Sequence, residues 1–151
     1  VMQAAQSTFI SSTNWTDRIG PAAALATLKK YEASQADTHI MDVGEKTKNI
    51  WRDAAVKTGL SITVTGLPSL VAFGFNSDKS QELNTRFVIE MLRRGFLGFR
   101  QFKPSLAHGK SELAEYAVAV LEVFHLLKDS SNDEIISSPV AHSGFYRLTK
   151  E

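Results

Sequence analysis

Apolar positions return at helical spacing in four stretches of the chain and alternate with polar ones between them, a pattern that predicts a mixed fold. In the first helical stretch, Ala22, Ala23, Ala24, Leu25, Ala26 and Leu28 follow Pro21 in the first turn, with Asp17 as a candidate cap. Alanines are strong helix formers with small side chains, so the Ala22 to Leu28 face is expected to pack closely against other structure. After a polar break at Ser34 to Asp37, Ile40, Val43, Ile50 and Ala54 resume helical spacing, with Thr47 holding the intervening place. Gly59 then offers a left-handed stop. This stretch is a second helix or a kinked continuation of the first.

Ser61-Ile62-Thr63-Val64-Thr65 alternates with period two, Gly66 and Pro68 punctuate, and Leu70 to Phe75 is again strand-like, which predicts a β-hairpin. Leu83, Phe87, Val88 and Met91 mark a third helix ending at Gly95, and Phe96-Leu97-Gly98-Phe99 is expected as a further strand. Ser111 is expected to cap a fourth helix carrying Leu113, Ala117, Val120, Phe124 and Leu127 on one face, with Glu112 and Glu115 in its first turn. Ser7 to Thr16 is rich in hydroxyls and reads as a loop. Asp129 to Glu151 is polar and ends in a short aromatic tail. The order helix, helix, strand, strand, helix, strand, helix predicts an α+β fold, a small and largely antiparallel sheet with helices packed on one face. Periodicity leaves the partner of the third strand open.

Composition narrows the function. A chain of 151 residues that is 43% hydrophobic and 22% charged has the make-up of one ordinary globular domain. Its net charge is +1, and the densest basic stretch, Arg93-Arg94 with Arg100 and Lys103, reads as cations suited to a helix C-terminus. That argues against nucleic acid as a partner. Zero cysteines exclude a disulfide, a thiol nucleophile and a thiolate zinc site, and they fit a cytoplasmic protein. No apolar run approaches the ~18 to 20 residues of a membrane helix, and no signal-peptide pattern opens the chain. Val1 to Gln6 reads like the interior of an element, so a truncated chain is expected.

Candidate chemistry is sparse. His39, His108, His125 and His142 show none of the i, i+3 or i+4 spacing of helical metal sites, and no metal site is expected. His125, beside the apolar face of the last helix, is expected to be structural. Asp129, Asp133 and Glu134 are expected to be solvated. Neither a Walker loop nor a nucleophile elbow is present. Ser11-Ser12-Thr13, just before the Ala-rich helix, can present hydroxyls and backbone N–H groups to a phosphate, or can be a plain turn.

The run Thr8-Phe9-Ile10-Ser11-Ser12-Thr13-Asn14-Trp15, continuing through Gly20-Pro21-Ala22-Ala23-Ala24 to Leu28, resembles a segment of the class III pyridoxal-phosphate (PLP) aminotransferases. There a Gly-Thr loop, following the Schiff-base lysine, leads into an Ala-rich helix. Ser12-Thr13 falls on that pair. Gly59 to Gly66 is similar to the family's first small-domain strand, and Leu83 to Gly95 to its helix of the type Met-Leu-x-x-Gly. Ser105-Leu106-Ala107-His108 is similar to its Ser-x-x-His before the last long helix, and His142 to Thr149 resembles the tail of some members. The likeness is to the glutamate-1-semialdehyde aminomutase type and runs in order over nearly the whole chain.

The resemblance implies the C-terminal portion of an aspartate-aminotransferase-type fold. Residues 1–36 would be the end of the large domain with the cofactor loop and connecting helix, and residues 37–151 the small domain. It implies pyridoxal phosphate as cofactor in the complete enzyme, with Thr13, assisted by Ser12, hydrogen-bonding the phosphate bound in the other subunit of a homodimer. The partners would be the N-terminal large domain, missing here, and an amino-donor or keto substrate. The family's lysine, the aspartate that pairs with the pyridine nitrogen and the phosphate loop of the same subunit all lie upstream of the region matching Val1. No catalytic residue is therefore expected in this chain, and by itself it should be inactive; Lys29 and Lys30 sit inside a helix and are poor substitutes. Arg18 stands where many members have proline and Asp17 where they have asparagine. The stretch from Gly95 to Ser105 is shorter than in the aminomutases and lacks their acidic substrate-site residue. These departures favour an aminotransferase relative. The competing reading is a non-catalytic, stand-alone α+β module that binds a ligand or a partner.

Overall fold

The computed structural model describes residues 17–129 and 139–142. The Ser7 to Thr16 loop, including Ser12 and Thr13, and most of the polar tail lie outside the described residues. The chain divides into two compact units, Val1–Asp37 and Thr38–Glu151.

In the first unit, helix α1 spans Ile19–Ala33. Asp17 works at its start, its Oδ1 accepting from the Ile19 N–H at 3.0 Å, where a helix has unpartnered donors. At its end the Ser34 N–H and Oγ both donate to the Lys30 carbonyl, at 3.0 and 2.6 Å. Gln35 then takes a left-handed φ of 47°, which ends the helix and makes the next one separate. The expected burial of the Ala22 to Leu28 face is not found: no residue of α1 is buried. At about 100° per residue Leu25 and Leu28 share one side of the helix while Ile19 lies on the far side, so the large apolar residues do not gather into one stripe.

Helix α2 spans Ala36–Thr58 and continues into the second unit. Thr47 holds a fully buried place, and its hydroxyl is satisfied there by donating to the Val43 carbonyl of its own helix at 2.9 Å. Gly59, at φ 69°, ends α2 as expected. The hairpin follows, with β1 at Ile62–Leu67 and β2 at Leu70–Phe75, paired antiparallel from Ile62↔Phe75 to Leu67↔Leu70. Pro68 and Ser69 make the turn. Gly66, at φ 90°, precedes it, where a side chain would overlap the Leu70 carbonyl.

Helix α3 spans Ser80–Arg93. The third strand is not Phe96–Phe99 but the two-residue β3, Gln101–Phe102, antiparallel to β2 through Val71↔Phe102, which gives the order β1-β2-β3. Three constraints displace it. Gly95 takes φ 84°, the Phe96 N–H turns back to the Met91 carbonyl at 3.0 Å, and Gly98 lies against the Met91 side chain. Residues 96–99 therefore fold over the end of α3 and cannot run beside β2.

Helix α4 spans Lys110–Asp129. Ser111 is inside its first turn and is not the cap. Glu112 reaches back instead, its Oε2 accepting from the Gly109 N–H at 3.0 Å and from the Ser111 hydroxyl at 3.1 Å. The buried face is Leu113, Tyr116, Val120, Phe124 and Leu127 with Ala119 and Val123, while Ala117 is only half-buried. His125, expected to be structural, is exposed.

Alternate residues of β2, Val71, Phe73 and Phe75, send their side chains into one core shared with α2, α3 and α4. Phe73 is its centre, with ring centroids of Trp51, Phe75, Phe87 and Phe124 at 4.8, 5.3, 5.2 and 5.8 Å. This is a small α+β fold with helices against one sheet face. The Arg93-Arg94 pair is engaged by acids: Arg93 meets Glu90 at 2.6 Å, and Arg94 bridges Glu90 and Glu122 at 3.1 and 2.9 Å, tying α3 to α4. Among the described residues no helix is long and apolar enough to cross a membrane.

Candidate functional site

The displaced strand creates a cleft. Because residues 96–99 fold over α3 and β3 is short, a space of about 390 Å³ remains between that loop, β3 and the start of α4. Phe96, Leu97, Phe99 and Phe102 supply its apolar walls, and Gln101, Lys103, His108 and Glu112 its polar groups.

Local bonding sets the state of His108. The Ser105 N–H donates to His108 Nδ1 at 3.0 Å, and the Ser105 hydroxyl lies 3.0 Å from the same nitrogen. A backbone N–H can only donate, so Nδ1 is the acceptor and the neutral ring carries its proton on Nε2. The Ser-x-x-His spacing thus fixes a tautomer. Ring packing fixes the orientation: His108 lies 4.7 Å from Phe102, which lies 5.5 Å from Tyr116.

Tyr116 is the floor of the cleft and is itself held from below, its Oη accepting from the Trp51 indole N–H at 3.0 Å. Burial raises the Tyr116 phenol well above its ordinary range, only partly offset by that hydrogen bond, so it stays protonated at neutral pH. Glu112 behaves oppositely. Its own backbone N–H, then the Ser111 hydroxyl, hold its carboxyl below the ordinary value, and it is an anion at neutral pH. The cleft therefore offers one N–H donor on a fixed imidazole, one ammonium, one carboxylate engaged in capping, and an aromatic body. That set can bind and orient a small polar molecule with an apolar part, but it contains no activated nucleophile.

Ser12 and Thr13, the residues expected to hold a phosphate, lie outside the described residues. Lys29 and Lys30 are exposed on α1. Lys48 is nearly buried and paired with Glu45 at 3.0 Å, and the Lys128 amine donates to the Gly59 carbonyl at 3.2 Å. Lys48 and Lys128 are thus held by partners of their own, and no catalytic step is assigned to any of these four lysines. Sequence reasoning had no site role for His108. The signal was the Ser-x-x-His spacing just before a helix, but what it does depends on which nitrogen the Ser105 backbone reaches.

The backbone bears a relationship that these side chains do not announce. A solved structure described as a transaminase with PLP bound superposes on 60% of this chain with a TM-score of 0.51 and 25% sequence identity. The chain is similar to a transaminase. The matched part amounts to 23% of that transaminase chain, so this chain spans less than a quarter of its length. No protein-family model matches the chain, and no curated protein does. The likeness supports a relationship to the PLP aminotransferases and agrees with the α+β architecture.

Proposed function

We propose that this chain is the C-terminal part of a PLP-dependent aminotransferase of class III, related to the glutamate-1-semialdehyde aminomutases. The observation that carries the reading is the structural likeness to a PLP-bound transaminase. The ordered resemblance of the Thr8 to Leu28 loop and helix, the Met91-Leu92-Arg93-Arg94-Gly95 helix end and Ser105 to His108 points the same way. In this reading Thr13 and Ser12 anchor the cofactor phosphate bound in the second subunit of a homodimer, and a large domain supplies the lysine. PLP, when bound, supplies an electron sink for a substrate carbanion. This chain's own contribution is binding: hydroxyl and N–H donors for the phosphate, and surface toward an amino-donor or keto substrate. The cysteine-free sequence fits a cytoplasmic setting.

The test is cofactor binding by the complete enzyme, followed by absorbance titration of the apoenzyme. Hydrogen bonds to a charged phosphate are worth roughly 1.5 to 3 kcal/mol, so Thr13→Val should weaken PLP about ten- to a hundredfold. Thermal stability should be nearly unchanged. A complete protein that shows no PLP band and moves no amino group between amino and keto acids rules the reading out. It would leave the second reading, a non-catalytic α+β binding module, which the core shared by α2, α3, α4 and the sheet favours.

A further inference from the structure

The sheet has an open side. In the order β1-β2-β3, β1 is an edge strand, and among the described residues no strand pairs with its outer side. The ladder fixes which groups are free there. The Asn76 N–H donates to the Ser61 carbonyl directly opposite, so Ser61, Thr63 and Thr65, at steps of two, turn their backbone groups toward β2. Ile62 and Val64 therefore turn their N–H and C=O groups outward. Native edge strands are commonly blunted by a charge or a proline. The β1 sequence Ile-Thr-Val-Thr-Gly-Leu carries neither.

A groove of about 390 Å³ runs beside this edge, between α2 and β1. Ala55, Val56 and Leu60 wall it together with Ile62 and Val64, and Val56 is 83% exposed. Its charged residue is Arg52, whose Nη1 donates to Asn49 Oδ1 at 3.1 Å and which has no carboxylate partner among the described residues. Helix and strand are in register. Gly44 lies against Pro68, and α2 ends at Thr58 next to the start of β1, so α2 runs antiparallel to β1. Arg52 is about 12 Å along α2 from Gly44, and Val64 is about 13 Å along the strand from Pro68, so the two stand level. Val56, one helical turn on, stands near the level of Ile62.

We propose that an extended peptide segment adds to β1 as a fourth, antiparallel strand, with a carboxylate side chain opposite Val64 and an apolar one two residues later, opposite Ile62. Main-chain bonds to Ile62 and Val64 supply the affinity. Alternate side chains of the added strand point to the helix side, where the carboxylate meets Arg52 and the apolar group lies beside Val56 and Leu60. Charge selects the occupant. A second copy of the chain, paired through its own β1 about a two-fold axis near Val64, would bring two Arg52 guanidiniums face to face, whereas a carboxylate at that place is attracted. The proposal is independent of the transaminase reading and of the cofactor.

The probe is the capped peptide Thr-Thr-Glu-Thr-Val-Thr-Thr, titrated into the 151-residue chain and followed by backbone amide NMR signals. The amides of Ile62 and Val64 should shift most, and those of Thr63 and Thr65, already bonded to β2, less. Methylating the backbone nitrogen of the peptide's glutamate, whose N–H points at β1, should weaken binding about tenfold, the size of one hydrogen bond lost. The same methyl on the threonine between glutamate and valine, whose N–H points away, should leave binding nearly unchanged. A peptide with lysine in place of the glutamate should bind about three- to tenfold more weakly, the swing from an attractive to a repulsive exposed pair. Arg52→Glu, a change at an exposed position, should reverse that preference and leave the fold intact. Equal binding of the two methylated peptides overturns the proposal, as does an order of the glutamate and lysine peptides that Arg52→Glu leaves unchanged. So does the absence of shifts at millimolar peptide. Concentration-dependent shifts of the Ile62 and Val64 amides without peptide would overturn it as well, because a second copy would then occupy the edge.

Discussion

The Trp51 indole N–H donates to the Tyr116 hydroxyl at 3.0 Å, joining α2 to α4 across 65 positions of sequence, and both side chains are buried. This bond fastens the floor of the His108 cleft to the aromatic core, since Trp51 also packs 4.8 Å from Phe73. Without the hydroxyl, the indole N–H would be left in the core with nothing to accept from it.

Tyr116→Phe therefore tests more than one hydrogen bond. Leaving a buried donor unpaired costs roughly 1 to 3 kcal/mol, whereas removing a paired, solvated hydroxyl would cost little. Urea denaturation should show a loss in that range with little change in the slope.

The same phenol makes stability depend on alkaline pH. Its folded value is raised above the ordinary 10.0 of a free tyrosine, so above that pH the unfolded chain gives up a proton that the folded chain keeps. The contribution of this group is fully present below about pH 10 and is lost as pH rises toward the folded value. Denaturant midpoints measured from pH 8 to pH 11 should fall more steeply for the unmodified chain than for Tyr116→Phe. Parallel curves would show that Tyr116 titrates normally.

Glu112 acts at the other end of the scale. Its folded value is depressed below 4.5, so its contribution is present above that pH and is lost as pH falls through the folded value. Glu112→Gln should flatten the acid limb of thermal stability below about pH 4.5 and leave α4 formed, because an amide oxygen can still accept from the Gly109 N–H. Circular dichroism melts across that limb report it.

Gly44 sets two opposing effects against each other. In the middle of α2, alanine should be favoured over glycine by about 1 kcal/mol on helix propensity. A side chain at this position, however, would overlap the Pro68 carbonyl at the hairpin turn, and relieving such overpacking costs roughly 1 to 3 kcal/mol. Gly44→Ala should therefore destabilise on balance. A gain in stability would mean that helix and hairpin turn are not pressed together.

His108 should appear in nitrogen-15 NMR spectra as the Nε2–H tautomer at neutral pH, with Nδ1 at the shift of an unprotonated nitrogen. Ser105→Ala removes one of the two groups at Nδ1 but keeps the backbone N–H, so the tautomer should persist. An Nδ1–H signal in the unmodified chain would contradict the geometry of the cleft.

Local pattern carried most of the fold. Period-two alternation at Ser61 to Thr65 and the punctuation at Gly66 and Pro68 were enough for the hairpin, because a strand with one buried face must alternate. Gly59 and Gly95 marked helix ends because both take the positive φ that glycine tolerates best. The third strand was misplaced because Phe96-Leu97-Gly98-Phe99 is apolar enough for a strand. Whether it pairs with β2 depends on where the turn after α3 delivers the chain, which is decided by the Phe96 N–H returning to Met91. Likewise Ser111 looked like a cap, and the helix began two residues earlier than such a cap implies because Glu112 reaches Gly109.

For the candidate sites the division is sharper. The sequence by itself determined a small α+β fold, its hairpin and four helices, the absence of any thiol chemistry, and a resemblance that a transaminase structure supports. Those features depend on neighbours a few residues apart, or on the order of segments, and both are written along the chain. Only the tertiary structure decided that Trp51 holds Tyr116 and that Phe102 orients His108. Such relationships require groups from distant segments to meet at about 3 to 5 Å, and hydrogen bonds and ring contacts act only at that range.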